Sequence, residues 1–481
     1  FPYTTLFRSP SIKLAPSSGQ SGQVTAVANR VGFTLLDSAG GLNSLFEFDP
    51  AKKSIDGSEF AKSAIDKAGS ALSPGADIKA LATSDDITIA AGNYSAEGMN
   101  NIFGVNKTSS FSLTGDGLNG VVYTMFVNGS IVYIGGEFDN TSKANTKGLN
   151  HVAAYDVSQK TWNTLGAGVN GRVLDIVPFA INFTNGALET VISLTGNFDE
   201  INAFGANKSI PVSGFAIWVP SKGNWLQNLK ATQMSFDGQL TTAVDLPNGG
   251  GSLFSGSLSS SQIGAHGAAA LTNGEISSFP VDIQAKSQSS SSISKRATSA
   301  NSTLSGVVTG HFYEADGINV TIFGGHFEAT ATDGTTINNL LILDGEKSDT
   351  VTGLSQLTND STVMALATKD DVLWVGGALK GTVNGGSING FLTYNLKTST
   401  TPIQPPALAG DEVIVSAITV RESTGDVYVG GSFDHAGSLD CPGLCVFTAV
   451  TSQWNRPGII SGTVSTMAWQ TADSLVAGGS L

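Results

Sequence analysis

A strand-like run that ends in glycine, with an apolar or aromatic side chain two residues further on, recurs eight times and constrains the fold more than anything else in this chain. The copies align on Gly92, Gly136, Gly196, Gly256, Gly325, Gly377, Gly431 and Gly479, at intervals of 44 to 69 residues. The side chains two places on are Tyr94, Phe138, Phe198, Leu258, Phe327, Leu379, Phe433 and Leu481. The preceding runs (VYIGG, VTIFGG, VYVGG) are β-branched and aromatic, and a second such run lies a little earlier in each unit, as in VLDIV and VSAITV. The best-preserved copy spans Gly129 to Gly171, where the glycine pair is followed by a loop, the strand-like HVAAY, the turn DVSQKT and Trp162. A unit of several short strands cannot bury both of its faces alone, so repeated units of this kind must stack on one another.

The fold expected is therefore all-β, a β-propeller of seven or eight four-stranded blades. Tyr155 and Trp162 are separated by six residues, and the same spacing recurs at Trp218 and Trp225 and at Phe447 and Trp454. A glycine pair followed by an aromatic, six residues and a tryptophan resembles a kelch-like blade. The paired rings are expected to anchor the outer hairpin, each burying roughly 150–250 Å². The glycines are expected either to let the backbone approach the adjacent blade or to supply positive φ, with the residue two places on plugging the layer between blades. A chain of 481 residues with only 13% charged side chains and 58 glycines suits such an architecture. Helical periodicity appears only around Phe60 to Ala71, read as a short helix or a loop ornament.

Along the chain, residues 1–9 (FPYTTLFRS) match a translated sequencing-adapter oligonucleotide and are expected to be non-native, with the natural N-terminus lying elsewhere. Residues 10–285 hold the first part of the propeller, beginning with a degenerate unit over Gln20 to Asp49. Residues 286–304 are a serine-rich, flexible tract. Within it Lys295-Arg296 reads either as a dibasic processing site or as two solvated cations. Residues 305–481 hold the rest of the same propeller and stop in mid-blade. The last hairpin either completes the N-terminal blade as a clasp or opens a further blade. No run of 18 or more apolar residues occurs, so no membrane span is expected within these residues.

A net charge of −14 argues against nucleic acid and anionic membrane surfaces as partners. No HExxH, G-x-S-x-G, P-loop or EF-hand pattern is present, and no cofactor, metal or catalytic residue is expected. The five histidines (His151, His266, His311, His326, His435) are scattered over different units, and ordinary structural roles are the expectation. Asp139, Asp199 and Asp434 follow the buried aromatic in three units and read either as turn-stabilising residues or as an acidic rim. A carbohydrate-active or glycan-binding propeller is the alternative functional class. Hydrolysis would need two carboxylates about 5–10 Å apart, and no such pair is identifiable.

The most specific lettering lies in Val427 to Trp469, where Cys-Pro-Gly-Leu-Cys precedes an aromatic, then TSQWNRPG and SGTVS. With the repeated GGxF and YDxxxxxW elements, this resembles the fungal cortical marker proteins for cell polarity, the Rax-type bud-site-selection glycoproteins, over Ile78 to Leu481. The resemblance implies a non-enzymatic ectodomain on the extracellular side of the plasma membrane at the cell cortex. It also implies a membrane anchor beyond this fragment, delivery by the secretory pathway and a membrane or cell-wall protein partner. The degenerate first unit and the anchor missing from these residues depart from the family pattern. Cys441 and Cys445 flank Pro442-Gly443, a preferred type II turn centre that brings two Cα atoms within disulfide reach. A local disulfide is expected, a reduced pair being the alternative; two thiols alone do not make a zinc site. Sequons stand at Asn93, Asn106, Asn128, Asn140, Asn182, Asn207, Asn301, Asn319 and Asn359, with Asn140 and Asn301 the favoured glycan carriers.

Overall fold

A computed structural model of the chain describes residues 14–17, 20–24, 45–48 and, apart from short breaks, 63–286 and 305–480. The described residues form eight consecutive antiparallel sheets, the blades of a β-propeller, together with three smaller sheets of two or three short strands. The first strands of these sheets are Asp77–Ser84, Val122–Asn128, Arg172–Asn182, Asp237–Leu246, Gly306–Ala315, Thr362–Lys369, Ile414–Val420 and Thr463–Thr471. Each is followed by the glycine-bearing second strand, and third and fourth strands run outward from it in most sheets.

Two compact units divide the chain: residues 1–122, 140–146 and 405–481, and residues 123–139 and 147–404. The smaller unit holds the first, seventh and eighth sheets, the larger the second to sixth. Within the larger unit the apolar layers lie between successive sheets. Ile176, Ile192 and Leu194 of the third sheet pack with Tyr133 and Val152 of the second. Phe179 and Ile217 of the third sheet pack with Phe254 and Ala269 of the fourth.

Why glycine recurs becomes clear from the strand register. In seven sheets the pairing between first and second strands slips by one residue, a β-bulge. Just before each slip an aliphatic residue (Ile78, Val173, Leu240, Val307, Val363, Val415 or Val464) stands opposite Gly92, Gly196, Gly256, Gly325, Gly377, Gly431 or Gly479. All seven aliphatics are at most 1% exposed. The bulge turns a first-strand carbonyl toward the glycine: a Cβ on Gly431 would lie 1.9 Å from Ile414 O, and one on Gly325 2.1 Å from Gly306 O.

The expectation that this glycine faces the adjacent blade is corrected, because its obstacle is its own sheet. Positive φ is not the reason either, since among the seven only Gly377 has one, and at 159° that is extended backbone. The adjacent sheet is met by the preceding glycine of the doublet. A Cβ on Gly430 would stand 2.7 Å from Val464 Cγ1 of the eighth sheet, and one on Gly324 2.4 Å from Val363 Cγ1 of the sixth. The residues two places on, from Tyr94 to Phe433, are all buried; Leu481 lies outside the described residues.

Three of the eight sheets depart from four strands; the fifth has five, because Asp282–Ala285 also pairs with Ile318–Thr330. In the sixth, Gly386–Asn395 is the last strand. The segment that follows carries Pro402, Pro405 and Pro406, which have no N–H for a ladder. Gln404 stands in for a strand: its Oε1 accepts from Thr393 N (2.8 Å) and its Nε2 donates to Thr393 O (3.0 Å). In the eighth, the hairpin Thr463–Thr471/Ser474–Ser480 is joined by Leu45–Phe48 from near the other end of the chain, with Leu45 opposite Gly478. The clasp reading of the last hairpin thus describes what is seen, and Leu45–Phe48 belongs to that sheet rather than opening a separate first blade.

The helix Ala64–Ser70 occupies the place of an outer strand beside Leu45–Phe48. Ser63 caps it by accepting from Asp66 N, and Asp66 Oδ1 accepts from Glu47 N at 3.0 Å. Ala64, Ile65 and Ala68 pack with Leu45, Ile78 and Phe103. It is a core element, not an ornament.

Candidate functional site

The three aromatic pairs sit directly across the third and fourth strands of their sheets. Tyr155 faces Trp162 with ring centroids 4.8 Å apart, Trp218 faces Trp225 at 5.1 Å and Phe447 faces Trp454 at 5.2 Å. Trp454 Nε1 donates to Pro406 O (2.7 Å), so the polar end of that ring is also tied down.

Cys441 and Cys445 are joined by a disulfide, with Cα atoms 5.8 Å apart and both residues fully buried. Gly443 between them has φ 71°, which a glycine adopts without strain. The short ring is stitched to the glycine strand: Gly431 N donates to Gly443 O (3.0 Å), Gly443 N to Phe433 O (3.0 Å) and Cys441 N to Asp434 O (2.9 Å).

Asp199 Oδ1 accepts from Asn170 Nδ2 (2.5 Å), while Asn170 Oδ1 accepts from Asp199 N and Glu200 N. Asp139 Oδ1 lies 3.8 Å from His151 Nε2, and burial holds that imidazole below its ordinary pKa against the pull of Asp139. Asp434 binds through its backbone, donating to Ala409 O (2.8 Å). These contacts fasten loops.

The remaining histidines are dispersed. His311 meets Thr368 Oγ1 (2.7 Å), and burial lowers its pKa; His326, also buried, meets Ser361 O through Nδ1 (3.0 Å). His266 lies in the fourth sheet, and exposed His435 pairs with Ala409. Among the described residues no group of three or more His, Cys, Asp or Glu side chains is placed to hold a metal ion, and no helix is long and apolar enough to cross a membrane.

Two polar features escaped the sequence reading. Tyr123 OH donates to Glu137 Oε2 (2.8 Å) while Arg172 Nε reaches Glu137 Oε1 (3.0 Å). Burial, reinforced by Glu137, pushes the Tyr123 phenol up to about 12. Asp175, just past the bulge of the third sheet, is pushed up to about 7 by burial alone. Neither follows a spacing motif. A lone aspartate inside an apolar run (RVLDIV) was the one available signal.

Of the sequons, Asn93, Asn128 and Asn359 are exposed. Asn106 Oδ1 is turned onto its own loop, accepting from Thr108 N, Thr108 Oγ1 and Ser109 N. Asn140, Asn207 and Asn319 are half-buried. Nothing is described for the Asn182 side chain, and Asn301, Lys295 and Arg296 lie outside the described residues. The ends of their tract are pinned together: Ser305 Oγ donates to Lys286 O (2.7 Å), and Lys286 N donates to His326 O (3.2 Å).

Residues 391–481 match the Rax2 C-terminal β-propeller domain family. Polarized growth protein L1 of Phoma sp. is 42% identical over 491 aligned residues, covering 98% of this chain and 37% of that protein. Polarized growth protein rax2 of Schizosaccharomyces pombe is 33% identical over 33% of this chain and 13% of its own length. Polarized growth protein RAX2 of Candida albicans is 29% identical over 29% of this chain and 10% of its own length. This chain therefore spans well under half the length of the curated relatives it matches. With blade sheets across the described residues, a family match over the final blades and a 42% identical relative aligned along 98% of this chain, the chain belongs to the Rax2 family.

Proposed function

We propose that this chain is the non-enzymatic β-propeller ectodomain of a landmark protein for bud-site selection and polarised growth, displayed on the extracellular side of the plasma membrane at the cell cortex. It presents blade loops to a membrane or cell-wall protein partner, and an anchor outside these residues holds it there. The observation that carries this reading is the 42% identity, along 98% of the chain, to a polarized growth protein. The buried disulfide supports it, because such bonds persist in oxidising compartments.

Glycoside hydrolysis, the alternative, requires two cooperating carboxylates. Asp175 has a raised pKa, but burial is its sole cause, with no second carboxylate contributing. The landmark reading is tested by tagging the full-length protein at its chromosomal locus and imaging growing cells. Concentration at sites of polarised growth is expected, and uniform release into the medium would sink it.

A further inference from the structure

We propose that Asn93 carries an N-linked glycan whose first sugar is seated in a cleft of the protein's own surface. This rests on the secretory routing proposed above.

The cleft, about 420 Å³, lies in the smaller unit among the loops of the first sheet. That volume falls within the roughly 300–1,000 Å³ of small-molecule sites. Its lining is neutral and polar, with Asn93, Ser95, Asn100, Asn119 and Ser142 among its walls. Two of these groups have hydrogen-bonding capacity to spare. Ser142 Oγ is buried without a partner, and Asn100 Nδ2 makes only a long 3.5 Å contact to Asp116 O. Uncharged amides and hydroxyls of this kind match the hydroxyl and acetamide groups of N-acetylglucosamine rather than an ion or an apolar ligand.

Asn93 itself is exposed at the wall and opens the sequon Asn93-Tyr94-Ser95. The backbone there is fixed. Tyr94 N donates to Asn101 Oδ1 (3.1 Å), Tyr94 OH to Ala90 O (2.8 Å) and Ser95 N to Ser73 Oγ (3.2 Å). A sugar on Asn93 is thereby aimed by a rigid strand end. A free saccharide has less to hold it, because the Tyr94 ring is 5% exposed and offers no stacking platform. An attached sugar is present at high effective concentration, so weak polar contacts suffice.

The modification is a transfer from a lipid diphosphate-linked oligosaccharide by the secretory-pathway transferase. Asn93 Nδ2 bonds to the sugar C1, the C1–O bond to the diphosphate breaks, the lipid diphosphate leaves with that electron pair, and one Nδ2 proton is lost to base.

The test uses the chain secreted from a glycosylating fungal host. Peptide N-glycosidase is applied to the native protein, and site-resolved mass spectrometry follows release at Asn93 and at exposed Asn128 and Asn359. Asn93 is expected to be occupied and released at least tenfold more slowly than any exposed occupied site, the difference vanishing after denaturation. Asn119→Ala and Asn100→Ala, which line the cleft and leave every sequon intact, should raise the native Asn93 rate severalfold without changing its occupancy. Asn93 bare while other sequons are modified overturns the proposal alone. So does fast native release, or slow release indifferent to both variants. Absence of glycan at every sequon overturns the secretory routing as well.

Discussion

The division of labour within each glycine doublet predicts unequal consequences for two adjacent substitutions, Gly430→Ala and Gly431→Ala. A Cβ on Gly431 would meet Ile414 O at 1.9 Å, whereas ordinary contact begins at 3.4 Å. The overlap of about 1.5 Å is against backbone, so no rotamer relieves it. Relief requires Val427–Ser432 to part from Ile414–Val420 at the bulge, disturbing the Ile414–Ser432 pairing and the Gly431 N to Gly443 O bond. A buried backbone group left unpaired costs about 1–3 kcal/mol, and overpacking adds roughly 1–3 kcal/mol. Gly431→Ala should therefore lose about 3–5 kcal/mol. A Cβ on Gly430 instead meets side chains, Val464 Cγ1 at 2.7 Å and Met467 Cε at 3.2 Å. The methionine repacks readily, so Gly430→Ala should lose about 1–2 kcal/mol. Guanidinium unfolding followed by tryptophan fluorescence measures both, Trp454 and Trp469 reporting from the same unit. A Gly431→Ala protein within 1 kcal/mol of the parent, or a larger loss for Gly430→Ala, would refute the reasoning.

Asp175 should make stability pH-dependent. Its carboxyl is raised from 3.8 to about 7 on folding, so the stabilisation is complete below the unfolded value and is lost as pH rises through the folded one. The full shift corresponds to about 4 kcal/mol. Asp175 is half-buried, so a change of about 2 kcal/mol is expected. The stability of Asp175→Asn relative to the parent should rise by that amount between pH 4.5 and 7.5 in denaturant titrations; a flat difference rules the account out. Replacing Cys441 and Cys445 together by alanine should lower stability by about 2 kcal/mol, the chain-entropy value for so short a ring, with reducing agent then having no further effect on the melting temperature. Gln404→Ala should speed hydrogen exchange at the Thr393 amide by at least tenfold, since the side chain alone accepts from it; unchanged exchange would show that another group takes over.

Much of the fold was written locally. The glycine positions, the buried residue two places on and the six-residue aromatic spacing are short-range patterns, and strand periodicity converts them directly into position. The aromatic pairs were legible because a tight hairpin brings Tyr155 opposite Trp162 with little freedom of register. The disulfide was legible because proline and glycine in a four-residue step fix the turn. The Tyr123–Glu137–Arg172 cluster was not, since it joins residues from the starts of two sheets that only packing brings together.

The sequence by itself determined that this chain is a series of glycine-marked β units, because the alternation of strand-forming runs and turn residues is a local property of the polymer. The tertiary structure alone decided which glycine answers to which neighbour, since a one-residue bulge exchanges the obstacle from the next sheet to the same one. It also decided that Leu45–Phe48 completes the sheet of Ser474–Ser480, more than 400 residues away. Burial of Leu45, Ile65 and Val476 in one cluster selects that pairing, and contacts between distant segments leave no mark on the short-range pattern of either.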